Sequence, residues 1–257
     1  MSIEQIASFS QKNSADFNQP LPLHIANLVC VRAGKAMPFA REQMSAIDKA
    51  PIKEAVAVNF MGLTTDEQAD RRHHGGPLKA VHQLATATYD KINAEFGLKV
   101  RVGTLGENLT TEAVNGLPAM DESTVCIGDI FQYGGQYGNT DNNNSVQLRI
   151  VQPRRPCYKI NDQIGQFKLN KVPNIASWIT KQGVAGWYFA VVRDGMIHAD
   201  LPVYLIERPY PFATLEKLWQ LSNSKEKFAA KVIEPWLAIE CLEDSWKTVL
   251  AKKIRKD

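Results

Sequence analysis

The chain has 257 residues, 44% apolar and 22% charged, and its 30 basic and 27 acidic side chains leave a net charge of +3. This is enough apolar material for one large domain with an appendage or for two small domains, and the near balance of charge argues against a nucleic-acid groove or an anionic membrane as main partner. No apolar run reaches the length of a membrane span, and the polar start MSIEQIASFSQKNSADF has no secretory h-region, so a cytoplasmic protein is expected.

Taken in chain order, residues 1–22 read as an extension, 23–208 as a β-rich domain and 209–257 as a helical appendage. Within the β-rich part the runs LHIANLVCVR, IKEAVAV, TVCIGDIFQY, VQLRIVQ, WYFAVV and MIHADLPVYLIE are short and broken by glycine, asparagine and proline. In VQLRI the residues Val146, Leu148 and Ile150 share one face, as a half-buried strand requires. Many short strands with few helices between them predict a mainly β, mostly antiparallel barrel or sandwich.

One helix is predicted to interrupt these strands. It follows Gly75-Gly76-Pro77, uses Val81, Leu84, Ala85, Thr88, Ile92 and Phe96 at helical spacing, and stops at Gly97. The segment 134–145, dense in glycine and asparagine, reads as a hairpin loop. After Pro211 the segments ATLEKLWQLS, KEKFAAKVIEPWL and KTVLAKKIRKD read as helices.

Four chemical candidates stand out. The cysteines Cys30, Cys126, Cys157 and Cys241 form no C-x-x-C pair, so neither a zinc knuckle nor a dithiol redox pair is encoded. Three of them lie in apolar contexts that suit a small buried hydrophobe, whereas Cys157 in QPRRPCYKI has Arg154, Arg155 and Lys159 to favour thiolate, and Pro153 and Pro156 to stiffen its loop. A buried structural cysteine is the alternative. The predicted helix after Gly75 and Gly76 would offer free amides beside Arg71, Arg72, His73 and His74, an anion seat, although a plain helix start with surface histidines explains the same residues. Glu107 and Asn108 in GENL could pair with the edges of a heterocycle or simply make a turn. His82 and His198 read as core or boundary histidines.

Together GLTTDEQAD (62–70), HHGGPLKAV (73–81), GENLTTE (106–112), IGDIFQYG (127–134), QPRRPCYKI (152–160) and GWYFAVV (186–192) resemble, in family order, the MOSC domain, and within it the YiiM-like branch. The resemblance covers about 25–207 and extends to a three-helix appendage. It implies a mostly antiparallel MOSC-type β-barrel with peripheral helices, and a molybdenum cofactor whose metal takes the Cys157 thiolate beside the two sulfurs of the pterin. His74, Gly75 and Gly76 match the family's HGG, and the helix amides after them are the candidate seat for the cofactor phosphate; Arg154 stands at the family's arginine position, and Glu107 and Asn108 match GENL and are expected to hold the pterin or support the site. The parts of Arg155 and Lys159 are inferred from charge alone. Where the family has GLEGD this chain has Gly62-Leu63-Thr64-Thr65-Asp66, which leaves a glycine-dependent turn to Thr65.

The implied activity is reduction of small N-hydroxylated compounds, N-hydroxylaminopurine-type bases above all, to amines. No flavin or iron–sulfur motif is visible, so electrons are expected from a separate flavin or iron–sulfur reductase. The alternative is a carrier that holds the cofactor, or a persulfide on Cys157, without turnover. The sequence leaves homodimerisation open.

Overall fold

The computed structural model describes residues 19–70, 75–114, 116–135, 145–165 and 173–255. His74, with Arg71, Arg72 and His73, lies outside the described residues, as do most of the N-terminal extension and of the asparagine-rich segment.

Seven strands close a barrel: β1 (Leu23–Ala33), β2 (Val81–Gln83), β3 (Leu109–Ala113), β4 (Ile130–Tyr133), β5 (Val146–Pro153), β6 (Trp187–Arg193) and β7 (Pro202–Glu207). Their order around the barrel is β1-β7-β4-β5-β6-β2-β3, returning to β1. Every pairing is antiparallel except β2 with β3, which run parallel where Gln83 meets Leu109, so the barrel is mixed. Closure leaves these strands no free edge. The alternation read from VQLRI holds, with Val146, Leu148 and Ile150 all fully buried.

On β6 the same period of two sends Trp187 and Phe189 into the barrel core and puts Tyr188 on the outer face, opposite His82 of β2. That outer face is where the candidate site is built. Beyond it lies a second, smaller apolar cluster formed by Ile47, Leu84 and Leu105 together with α1 (Thr86–Phe96), α2 (Lys159–Gly165) and α3 (Ile175–Gln182). Neither α2 nor α3 was anticipated from sequence.

The predicted helix from Pro77 to Phe96 is corrected. Pro77–Lys79 forms a single 3-10 turn, Val81–Gln83 is strand β2, and α1 begins only at Thr86. Val81, Leu84 and Ala85 satisfy helical spacing, but the gap between β6 and β3 can be closed only by extended backbone, and ladder bonds plus burial of all three β2 residues outweigh local propensity. The stop at Gly97 holds: it caps α1 in the left-handed conformation at φ 64°.

The tail forms three helices, α4 (Leu215–Asn223), α5 (Ala230–Leu237) and α6 (Asp244–Ala251). They share one buried cluster with the barrel, through Leu218, Trp219, Ile233, Trp236, Trp246 and Leu250. Backbone bonds fasten them to it, from Ile127 N to Ala213 O (2.9 Å), from Glu216 N to Glu122 O (2.7 Å) and from Glu243 N to Val151 O (3.2 Å). Among the described residues no helix is long and apolar enough to cross a membrane.

Candidate functional site

Cys157 sits half-buried in the loop between β5 and α2, and long-range contacts fix that loop on both sides. Arg154 is buried; its amide donates to Gly186 O (2.9 Å) and its Nη1 to Leu105 O (2.9 Å). Arg155 is exposed and turns the other way, its guanidinium carbon 4.4 Å from the centre of the Trp246 ring on α6. The two arginines of QPRRPCYKI therefore serve different faces. Beyond the thiol, Tyr158 donates to Gln43 and lies under Arg41 (4.9 Å), while Lys159 Nζ donates to Met44 O (2.9 Å).

The thiol lies where two cavities meet. The inner recess, about 90 Å³, is lined by Lys49, Asp66, His82, Asn108, Arg154 and the backbone of Gly75 and Gly106, and Lys159 and Tyr188 face both cavities. The outer chamber, about 580 Å³, is bounded by Gln152, Arg155, Pro156 and Tyr158 and by Glu243 and Ser245 of the tail.

Hydrogen bonds fix the recess wall. Asn108 donates its amide to Arg32 O (3.1 Å) and to Asp66 Oδ2 (2.9 Å), and its Oδ1 accepts from His82 N (3.0 Å). Asp66 also accepts from Gly34 N (2.7 Å) and forms a buried ion pair with Lys49, whose Nζ is 2.6 Å from Oδ2. Burial pulls the Lys49 ammonium below its ordinary pKa, and the Asp66 carboxylate opposes that shift. Glu107, fully buried, stands behind the wall: it accepts from Tyr89 Oη (2.6 Å) and Gly103 N (2.6 Å), and burial raises its pKa. It supports the loop and does not line the recess.

His82 has Nδ1 and Nε2 each 3.4 Å from a carbonyl oxygen, of Gly106 and Ala185 respectively. Burial, with the Arg154 charge beside it, holds its pKa well below the ordinary imidazole value, so it is neutral near pH 7 and donates to one of the two at a time. Burial raises the phenol of Tyr188, which stays protonated and able to donate.

The turn at Gly62-Leu63-Thr64-Thr65-Asp66 forms without a left-handed residue at Thr65. Asp66 N bonds Leu63 O (3.1 Å), and the positive φ, 109°, is at Gly62. A Cβ on Gly62 would fall 2.0 Å from Ala80 O, so glycine is needed there for close approach rather than at 65.

Gly75 and Gly76 have φ of 83° and 86°, and a three-residue 3-10 turn follows them in place of the expected α-helix, so the first-turn amides of such a helix are not presented there. The positive charge at the recess comes from side chains instead: Lys49 and Arg154 within it, Lys159 at its rim. Among the described residues no three His, Cys, Asp or Glu side chains gather to hold a metal. A single accessible thiol beside cationic groups fits a metal that brings its other ligands within an anionic cofactor, and the recess is of a size to take a polar end of such a group.

Sequence reasoning missed Lys49, Tyr188 and the tail residues, and assigned His82 to core or boundary only. Nothing local in SAIDKAP sets Lys49 apart, and nothing in the continuous apolar and aromatic run WYFAVV tells which face Tyr188 takes. His198, expected at a core or boundary, is exposed. Of the remaining cysteines Cys126 is buried and its thiol is pushed up to about 12 by that burial, while Cys30 and Cys241 are partly buried with raised values of the same cause. Asp129 of IGDIFQYG pairs with Arg208 (2.6 Å), which makes that motif a structural one.

A model of the MOSC domain matches residues 70–204. The chain is 30% identical to protein YiiM of Escherichia coli over 183 residues, 70% of this chain and 72% of that one. It is 32% identical to a protein of Gibberella moniliformis named Reductase over 221 residues, 84% of this chain but 34% of the fungal protein. The crystal structure of YiiM from Geobacillus stearothermophilus superposes with a TM-score of 0.66 at 22% identity, covering 90% of this chain and all of that one. MOSC domains are a molybdenum-cofactor-binding family. With the closed barrel, the ordered motifs and these matches, the chain belongs to the MOSC domain family, in its YiiM-like branch.

Proposed function

We propose that the chain is a molybdenum-cofactor-dependent oxidoreductase that reduces N-hydroxylated compounds, N-hydroxylaminopurine-type bases in particular, to amines. The observation that carries the reading is the Cys157 thiol at the junction of a cation-lined recess and a chamber of substrate size. A relative named Reductase supports redox chemistry.

In this reading Cys157 ligates the metal as thiolate, and Lys49, Arg154 and Lys159, with Gly75, Gly76 and His74, hold the cofactor's anionic end. Asp66 and Asn108 face its polar edge, and Glu107 stiffens the loop that carries Asn108. When bound, the cofactor supplies the two-electron chemistry that cleaves an N–O bond. The chain's own residues bind and orient: protonated Tyr188 donates toward the reacting group beside Cys157. Electrons come from a separate flavin or iron–sulfur reductase.

The test is molybdenum content by elemental mass spectrometry, with reduction of 6-N-hydroxylaminopurine by a chemical reductant, for the wild type and Cys157→Ala purified from a cofactor-producing host. Near-stoichiometric metal and turnover, both lost in the variant, are expected. Metal without turnover would move the reading to a carrier, and absence of metal from the wild type would sink it.

A further inference from the structure

The outer chamber is walled on one side by the barrel and on the other by the start of α6. Its volume, about 580 Å³, lies within the range typical of small-molecule sites, which the inner recess does not approach. Two oxygens on its walls are unspent. Gln152, only 4% exposed, donates Nε2 to Leu78 O (2.8 Å), and its Oε1 has no hydrogen-bond partner among the described residues. Glu243 uses Oε2 to cap α6, accepting from Ser245 N (3.1 Å) and from the Ser245 hydroxyl, and its Oε1 likewise has no partner among the described residues.

The bond to Leu78 O fixes the Gln152 amide where it bounds the chamber, so its orientation is set before any ligand arrives. The tail is held in place to complete the chamber, by Glu243 N on Val151 O (3.2 Å) and by Arg155 stacked on Trp246 (4.4 Å).

We infer that this chamber is the substrate-recognition site and that the C-terminal tail supplies part of it, Glu243 with Ser245 facing Gln152 across the space beside Cys157. The inference rests on the reading of the site as a reductase centre. The Gln152 and Glu243 oxygens accept, the Arg155 and Lys159 side chains on the same walls donate, and the flanks, the Tyr188 and Tyr158 rings and Pro156, suit a planar heterocycle that carries both N–H groups and acceptor nitrogens. An aminopurine-type base meets both requirements. The tail is then a specificity element, since the barrel alone lacks the Glu243 wall.

Calorimetric titration of adenine and of 6-N-hydroxylaminopurine into the full-length protein, with molybdenum content measured in parallel, tests this without turnover. Glu243→Gln keeps an oxygen to cap α6 but removes the carboxylate charge, and it should weaken base binding roughly tenfold with metal content unchanged. Ser245→Tyr, at an exposed position, should block the chamber and abolish binding. The inference is overturned if the wild type binds neither base, if both variants stay within about twofold of it, or if either variant loses molybdenum, which would give the chamber to the cofactor. Failure of the reductase reading shows separately, as base binding that responds to these variants in a protein that reduces nothing.

Discussion

The two sides of the Cys157 loop are built on opposite principles. On the inner side Arg154 and Asn108 are buried, the side chains of Asp66 and Lys49 are largely covered, and all four are bonded to backbone or to one another. On the outer side Arg155 is exposed and held by stacking, and Gln152 and Glu243 keep unpaired acceptors. The contrast teaches that one loop can present a rigid wall to a resident group and an adaptable wall to a molecule that must enter and leave, because paired charges in low dielectric resist rearrangement and rim groups do not.

The sharpest way to break the comparison is at the buried ion pair. Asp66→Ala strands the Lys49 ammonium and unties Asn108, so a loss of about 3–5 kcal/mol is expected in urea unfolding. A loss under about 1 kcal/mol would mean that the inner wall is as adaptable as the outer one.

A second layer behind that wall makes the comparison pH-dependent. Glu122, buried, accepts from Gly186 N (2.7 Å), and Gly186 O in turn holds the Arg154 amide. Gly186 has φ 77°, and a Cβ there would meet Gln83 O at 2.2 Å, so only glycine makes this link. Burial raises the Glu122 carboxyl to about 7, above its unfolded value of 4.5. Because the folded state holds that proton more tightly, the stabilisation is fully present below pH 4.5 and is lost as pH rises through 7, up to about 3 kcal/mol in all. Glu122→Gln keeps an acceptor for Gly186 without the charge. Its melting temperature should match wild type near pH 5 and exceed it near pH 8.5; a gap that does not change with pH would remove Glu122 from the account.

The smallest effect belongs to the outer side. Arg155→Ala removes one exposed cation–π contact and should cost about 1 kcal/mol of stability, with molybdenum content unchanged, whereas Arg154→Ala should lose metal. Equal metal loss from both variants would erase the distinction between the two faces.

Much of this was legible in the sequence because it is local. Alternation in VQLRI fixes which residues of β5 enter the barrel, Gly97 stops a helix wherever the chain places it, and the order of short motifs carries the family. The amphipathic runs after Pro211 specify three helices for the same reason: helix spacing is written within a dozen residues.

Tertiary structure alone decided the rest. Val81–Gln83 suits either period, and the open gap in the barrel made it a strand, which reduces the expected helix after Gly76 to a single 3-10 turn. Arg154 and Arg155 are the same residue type one position apart, and only the partners that reach them, Leu105 and Gly186 on one side and Trp246 on the other, set their directions. Lys49 becomes part of the recess because Asp66 receives it there, and Glu243 reaches the chamber because the tail packs on the barrel's own core. Backbone period is a property of neighbours in sequence. Where a loop side chain points depends on burial and hydrogen bonds made by residues more than a hundred positions away, as Gln43 and Met44 are from Tyr158 and Lys159, which no local pattern records.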